Sequence, residues 1–283
     1  MFRSFFVMLN TAPIGVFDSG LGGLTVLKEI VRLLPEYDYH YLGDSARAPY
    51  GTKDFDTVYE YTLQAVKWFF AQGCPLVILA CNTASAKALR NIQQKDLPHL
   101  APENRVLGVI RPTTEVIGDY TESNHIGILG TQGTVDSGSY LIEIGKSFPD
   151  VHVHQQACPD WVPLVESGDY LNTEIADPII LDCLTKLGEQ SPKIDTILLA
   201  CTHYPLLYSR IRYMLPNHIQ IVTQGEIVAE SLFGYLKRHP QMDNRVSKNG
   251  RLSFSTTGSE LEFGKAASMF WGDTIEAKKA YLI

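Results

Sequence analysis

Short apolar runs rich in β-branched residues alternate along this chain with longer stretches whose apolar side chains recur every three or four positions. The first pattern predicts buried strands and the second amphipathic helices. Ile14-Gly-Val-Phe17 reads as a strand, followed by a glycine-rich turn, Gly20-Leu-Gly-Gly23. A helix follows with Leu24, Leu27, Ile30, Val31 and Leu34 on one face, stopped before Pro35. His40 to Leu42 is a second strand, and Phe55 to Gln72 a long helix closed by Gly73. Leu76 to Ala80 is a third strand, with a helix from Ser85 to Gln94. Later come a helix from Glu226 to Lys237, a linker-like polar segment from Met242 to Gly250, a strand from Leu252 to Ser255 and a helix near Glu262 to Phe270. Strands separated by helices imply βαβ units and parallel sheets, an α/β fold.

The pattern then recurs. Ile126-Gly-Ile-Leu-Gly-Thr131 echoes Ile14-Gly-Val-Phe-Asp-Ser19, and Thr196-Ile-Leu-Leu-Ala-Cys201 echoes Leu76-Val-Ile-Leu-Ala-Cys81. Buried strands resemble one another, but a shared Ala-Cys followed by polar residues is harder to obtain by chance. The two matches keep their order and nearly the same spacing, which points to a duplicated α/β unit. The tail has no counterpart in the repeat and is expected to pack back on the first unit.

Bulk properties narrow the picture. The 283 residues allow two domains or one large one. The formal net charge of −7 argues against a sequence-independent nucleic-acid binder, which needs a basic surface. It also means that an anionic substrate must be held by local donors. Met1 to Leu9 is apolar but too short and too abruptly ended for a secretory leader, and no run reaches the ~20 residues of a membrane span. Five cysteines without a Cys-x-x-Cys fit reduced thiols, hence a cytoplasmic protein.

Cys81 and Cys201 each stand where a buried strand gives way to polar residues, Asn82-Thr83 and Thr202-His203. In open parallel sheets ligands bind beyond the carboxyl ends of the strands. Free N–H groups and the positive end of a following helix favour thiolate over thiol. Either cysteine alone reads as a small buried hydrophobe; the pair at equivalent points of a repeat suits removal of an α-hydrogen from one face and return of a proton on the other. Such acid–base catalysis needs one thiol deprotonated and the other protonated. Asn82, Thr83, Thr202 and backbone N–H groups are candidate donors for the charge that develops on an α-carboxylate. Asp18 is a candidate to bind an ammonium or orient Cys81, and equally a helix cap. His203 is placed to tune Cys201.

These segments resemble the aspartate/glutamate racemase superfamily, the glutamate racemases above all. The resemblance is carried by Ile14 to Gly23, Tyr41-Leu-Gly-Asp-Ser-Ala-Arg-Ala-Pro-Tyr-Gly51, Ala80 to Ser85, Gly127 to Thr134, Gln156-Ala-Cys-Pro159, Pro163-Leu-Val-Glu166 and Ala200-Cys-Thr-His-Tyr-Pro-Leu206. It implies two pseudo-symmetric three-layer α/β domains with mainly parallel sheets and an active site in the cleft between them. The first would comprise residues 13–110 plus 222–283, carrying Asp18 and Cys81. The second would comprise 111–221, carrying Glu166, Cys201 and His203. Implied roles are acid/base work for Cys81 and Cys201, support of Cys81 by Asp18, and support of Cys201 by Glu166 and His203. Implied substrate contacts are Asp18, Ser19, Tyr50, Gly51, Asn82, Thr83, Thr131, Thr134, Thr202 and His203. The resemblance also implies a cofactor-independent, metal-free reaction, a homodimer, no membrane or nucleic-acid partner, and D-glutamate made for peptidoglycan.

Several positions depart from the family pattern. Ser45 stands where threonine is frequent, Val222-Thr-Gln-Gly225 replaces a common Val-Asp-Ser-Gly, Arg111 replaces an acidic residue, and Pro178 is expected to interrupt a helix. Other readings are weaker. Gly20-Leu-Gly-Gly23 lacks the third glycine of a dinucleotide fingerprint, because Thr25 occupies it. Cys201 and His203 are too close in sequence for a typical hydrolase dyad. His152 and His154 alternate on a strand with no second ligand pair. An aspartate or hydantoin racemase stays open, as does a non-catalytic binding or inhibitor protein on the same fold.

Overall fold

The structure is a computed structural model that describes residues 11–282; the apolar start, Met1 to Leu9, lies outside the described residues. Among the described residues ten strands form two sheets. They are β1 Ile14–Asp18, β2 Tyr39–Gly43, β3 Leu76–Leu79, β4 Arg105–Gly108, β5 His125–Gly130, β6 His152–Ala157, β7 Thr196–Ala200, β8 Gln220–Val222, β9 Leu252–Thr256 and β10 Ala277–Lys279. One sheet has the order β10-β9-β2-β1-β3-β4 and the other β6-β5-β7-β8. Adjacent strands in both are parallel.

The sequence repeat is therefore a repeat of topology. Strands β1 to β4 lie in the order 2-1-3-4, and β5 to β8 repeat that order. The central strands β1 and β7 are buried at every position, which explains their unbroken apolar runs. Strand β6 closes an edge, and its residues are half-buried or exposed. The tail adds β9 and β10 beside β2, pairing Tyr39 with Leu252 and Gly43 with Thr256.

Helices cover the sheets through their apolar faces. The helix Leu24–Leu33 buries Leu24, Val26, Leu27 and Ile30, each contributing about 1.5–3 kcal/mol by transfer from water. One core joins both sheets: Ile14 and Leu27 belong to the same buried cluster as Leu199 and Tyr204. No helix among the described residues is long and apolar enough to cross a membrane.

Three local expectations are corrected. The helix after β3 begins at Asn82, not Ser85, because Cys81 caps it and its sulfur accepts from the Ala84 N–H. Pro178 does not interrupt a helix; it lies inside Thr173–Gln190. Both Pro178 and Glu174, whose carbonyl loses its partner, are exposed, so water can take the place of the missing N–H. Residues 242–250 form no loose linker. Met242 and Val246 are buried, Val246 bridges Ala12, and the Asn249 amide donates to Asp38 over 2.7 Å.

Candidate active site

Loops at the carboxyl ends of six strands, three from each sheet, converge on one cavity. Ser19 follows β1, residues 48–52 follow β2, and Cys81 to Thr83 follow β3. Thr131 follows β5, residues 159–166 follow β6, and Cys201 to His203 follow β7. The cavity holds about 90 Å³, room for about three waters at ~30 Å³ each, a pocket for a small molecule.

Of the residues singled out from sequence, all but two line this cavity: Ser19, Tyr50, Gly51, Cys81, Asn82, Thr83, Thr131, Glu166, Cys201, Thr202 and His203. Asp18 and Thr134 stand behind the wall, both fully buried. Asp18 accepts from the Gly20 N–H over 2.9 Å and from Thr202 Oγ1 over 3.3 Å. It is no helix cap, since the following helix is capped at Gly23. Thr134 Oγ1 lies 3.0 Å from Thr131 Oγ1, which in turn lies 3.0 Å from Thr83 Oγ1. Three hydroxyls thus form a triangle between loops of the two sheets.

The two cysteines occupy equivalent strand ends but different electrostatic settings. Burial pushes the Cys81 thiol up to about 12, and the carboxylate of Asp18 adds to the push. Ser19 Oγ and the Ala84 N–H, both 3.5 Å from the sulfur, oppose it only in part. The expected preference for thiolate at Cys81 is thereby corrected: a six-residue helix and one N–H do not offset full desolvation. Beside Cys201 stands His203. Burial alone would lower this imidazole, but contact with Cys201 and Glu166 outweighs burial and holds it up to about 10. His203 Nε2 is 3.0 Å from Glu166 Oε1. Asp18 is itself held above the usual carboxylate range by burial, against the opposing pull of His203.

Sequence reasoning missed several supports. Tyr50 commits its hydroxyl to Asp44, which also accepts from Arg47 Nε over 2.7 Å and Thr257 Oγ1 over 2.6 Å. Pro159, Val162 and Pro163 supply an apolar wall. Asn82 accepts at Oδ1 from the Tyr140 hydroxyl over 2.6 Å. Asp44, Pro159 and Pro163 lie inside quoted motifs; Tyr140 carries no local signal, because its partner is 58 residues away. His125 joins His154, with 3.1 Å between Nδ1 and Nε2, and stacks on His152. Among the described residues no group of three or more His, Cys, Asp or Glu is arranged to hold a metal ion.

Comparison with known proteins agrees with this geometry. The glutamate racemase of Roseobacter denitrificans is 38% identical over 94% of this chain and 99% of its own length. That of Persephonella marina is 39% identical over 95% and 97%. The crystal structure of glutamate racemase isoform RacE1 from Bacillus anthracis matches with a TM-score of 0.87 at 32% identity, covering 96% of this chain and 98% of that one. The Francisella tularensis glutamate racemase in complex with D-glutamate matches at 0.85 and 29% identity, covering 96% and 98%. The model of the Asp/Glu/hydantoin racemase family matches residues 14–232, a span that holds both cysteines and every strand end lining the cavity, and the chain belongs to that family.

Proposed function

We propose that the protein interconverts L- and D-glutamate by moving a proton between Cys81 and Cys201. The observation that carries this reading is that two thiols from equivalent strand ends of a duplicated fold line one small cavity. In the L-to-D direction Cys201 removes the α-hydrogen as thiolate and Cys81, protonated in its buried setting, returns a proton to the opposite face. The reverse direction exchanges the roles. Cationic His203, held by Glu166, offers positive charge to the sulfur of Cys201. Asp18 is positioned to support Cys81 and, through Ser19 and the glycine turn, the substrate ammonium. Donors at Asn82, Thr83 and Thr202 serve the charge that develops on the α-carboxylate.

The remaining contacts follow the same logic. Ser19, Tyr50, Gly51 and Thr131 shape the cavity, with Thr134 holding Thr131 from behind. We read residues 13–110 plus 222–283 and residues 111–221 as the two domains, each built on one of the two sheets. A cytoplasmic homodimer that supplies D-glutamate to peptidoglycan is the setting this reading implies. Circular dichroism of L-glutamate with the purified protein tests the activity. Loss of the dichroic signal is expected, faster than with L-aspartate in the same assay. Faster racemisation of aspartate or a hydantoin would move the substrate, and no turnover of any of them would leave a binding protein.

A further inference from the structure

The buried amide of Asn82 has its Oδ1 occupied by Tyr140, whereas its Nδ2 has no hydrogen-bond partner among the described residues. An amide can present either end to a ligand, and the wrong end would set an oxygen against a carboxylate. What fixes the end lies further back. Gln224 is buried at the start of the helix Gln224–Arg238, within the segment that departs from the family pattern. Its Nε2 lies 3.2 Å from the carbonyl oxygen of Val109, 3.0 Å from Thr113 Oγ1 and 2.8 Å from the Tyr140 hydroxyl.

The Gln224 NH2 has two protons for these three neighbours, and Thr113 already gives its hydroxyl proton to the Val109 carbonyl over 2.9 Å, yet one end of the chain is fixed. A backbone carbonyl only accepts, so Val109 forces Gln224 to present its NH2 group. Whichever two neighbours take its protons, the amide nitrogen cannot accept one from Tyr140. A tyrosine hydroxyl owns one proton, which then goes to Asn82 Oδ1. Asn82 therefore keeps its NH2 as the end left free by Tyr140, buried and unpartnered in the wall of the cavity that the residue lines. We infer that Gln224 is a positioning residue, acting through Tyr140 to hold Asn82 as a hydrogen-bond donor for the substrate carboxylate. The relay links the start of the helix Gln224–Arg238, just after β8, to the loop that carries Cys81. This inference rests on the racemase reading given above.

The experiment is a set of double-mutant cycles. Tyr140→Phe and Gln224→Met are made alone and each in an Asn82→Ala background, with kcat, KM and melting temperature measured for glutamate. A donor to a charged group contributes enough for each single variant to lose about tenfold or more in kcat/KM. In the Asn82→Ala background either change is expected to cost less than about twofold, because nothing remains to be oriented. Glutamate affinity by calorimetry closes the cycle if Asn82→Ala turns over too slowly. Tyr140→Phe keeps the Gln224 contacts to Val109 and Thr113, so it decides the matter if Gln224→Met fails to fold. Losses that multiply in the double variants, or a Tyr140→Phe protein within about twofold of wild type, overturn the relay. The wild-type rate with glutamate tests the racemase reading separately. Were it nil, the same ratios would be read with whichever amino acid or hydantoin the wild type racemises.

Discussion

Thr202 Oγ1, in the loop after β7, donates to Asp18 Oδ1 at the end of β1 over 3.3 Å. The carboxylate behind one cysteine is thus tied to the residue that follows the other. Asp18→Asn should keep this contact in shape and remove the charge. Since burial and then Asp18 hold the Cys81 thiol up, the variant's Cys81 should ionise at lower pH. Turnover should nevertheless fall about a hundredfold, the scale of a lost acid–base partner. Mass spectrometry of Cys81 alkylation against pH gives the first quantity and circular dichroism the second. An unshifted alkylation midpoint would contradict the electrostatic role of Asp18.

Gly22 carries no side chain because there is no room for one. A Cβ there would lie 2.3 Å from Thr202 Oγ1 and 2.4 Å from His203 Nδ1, both on buried side chains. Gly22→Ala should displace the Cys201 loop and lower kcat/KM at least tenfold, since displacements near 1 Å can cost about a hundredfold. The melting temperature should fall as well. Steady-state kinetics equal to wild type would show that the two units separate freely at this seam.

The pair His203–Glu166 predicts a dependence on alkaline pH. The folded imidazole titrates near 10 against 6.5 for the free group. The folded state therefore keeps a proton that the unfolded chain releases above pH 6.5. The stability this contributes is full below 6.5 and lost as pH rises through about 10. Glu166→Gln removes one support of the raised value, so the folded imidazole titrates lower. Melting temperatures of wild type and variant should differ most near pH 6 and converge toward pH 10. A constant gap across that range would assign Glu166 a role independent of the His203 charge.

His40 predicts the opposite slope. Burial, with a smaller effect of Lys278, lowers it to about 4, and its Nε2 lies 2.9 Å from Ser255 Oγ, joining β2 to β9. Here the unfolded chain takes up a proton first. Stability falls as pH drops below 6.5, down to about 4, by on the order of 2–3 kcal/mol. His40→Asn should be less stable at pH 7 yet flatter between pH 7 and 4, as thermal melts at stepped pH would show. A parallel decline in both proteins would place the acid sensitivity elsewhere.

The duplicated unit was legible because β1 and β5, and β3 and β7, carry their signal locally: an apolar run ending in a polar or sulfur-bearing residue. Cys81 and Cys201 inherit their shared cavity from that repetition, since equal strand order puts equal strand ends at the seam. What escaped were features decided by distant partners. Short β8 and β10 owe their strand state to neighbours already in the sheet. Pro178 is tolerated because its helix exposes that side. The ionisation of Cys81 follows from burial, which no local motif reports, so the helix end beside it was overvalued. Gln224 meets Tyr140 across 84 residues, and in sequence it registers only as a departure from a common loop.

The proposed mechanism also predicts which face of the substrate each cysteine serves. On the proposed reading, Cys81 would be the acid in the L-to-D direction and the base for D-glutamate, and Cys201 the base for L-glutamate. Inversion needs both thiols, but abstraction needs one. Cys81→Ser should abolish net racemisation while leaving a base for the L enantiomer, and Cys201→Ser should leave a base for the D enantiomer. Serine is a far weaker acid and does not replace a thiol near neutral pH. Residual exchange of the α-hydrogen in heavy water should therefore be lopsided, favouring L-glutamate in the first variant and D-glutamate in the second. Mass spectrometry of each enantiomer after incubation reads this directly. Exchange with the senses reversed would swap the faces and leave the two-thiol mechanism standing. Near-normal racemisation by either serine variant would remove that mechanism, because one sulfur cannot serve both faces of the α-carbon.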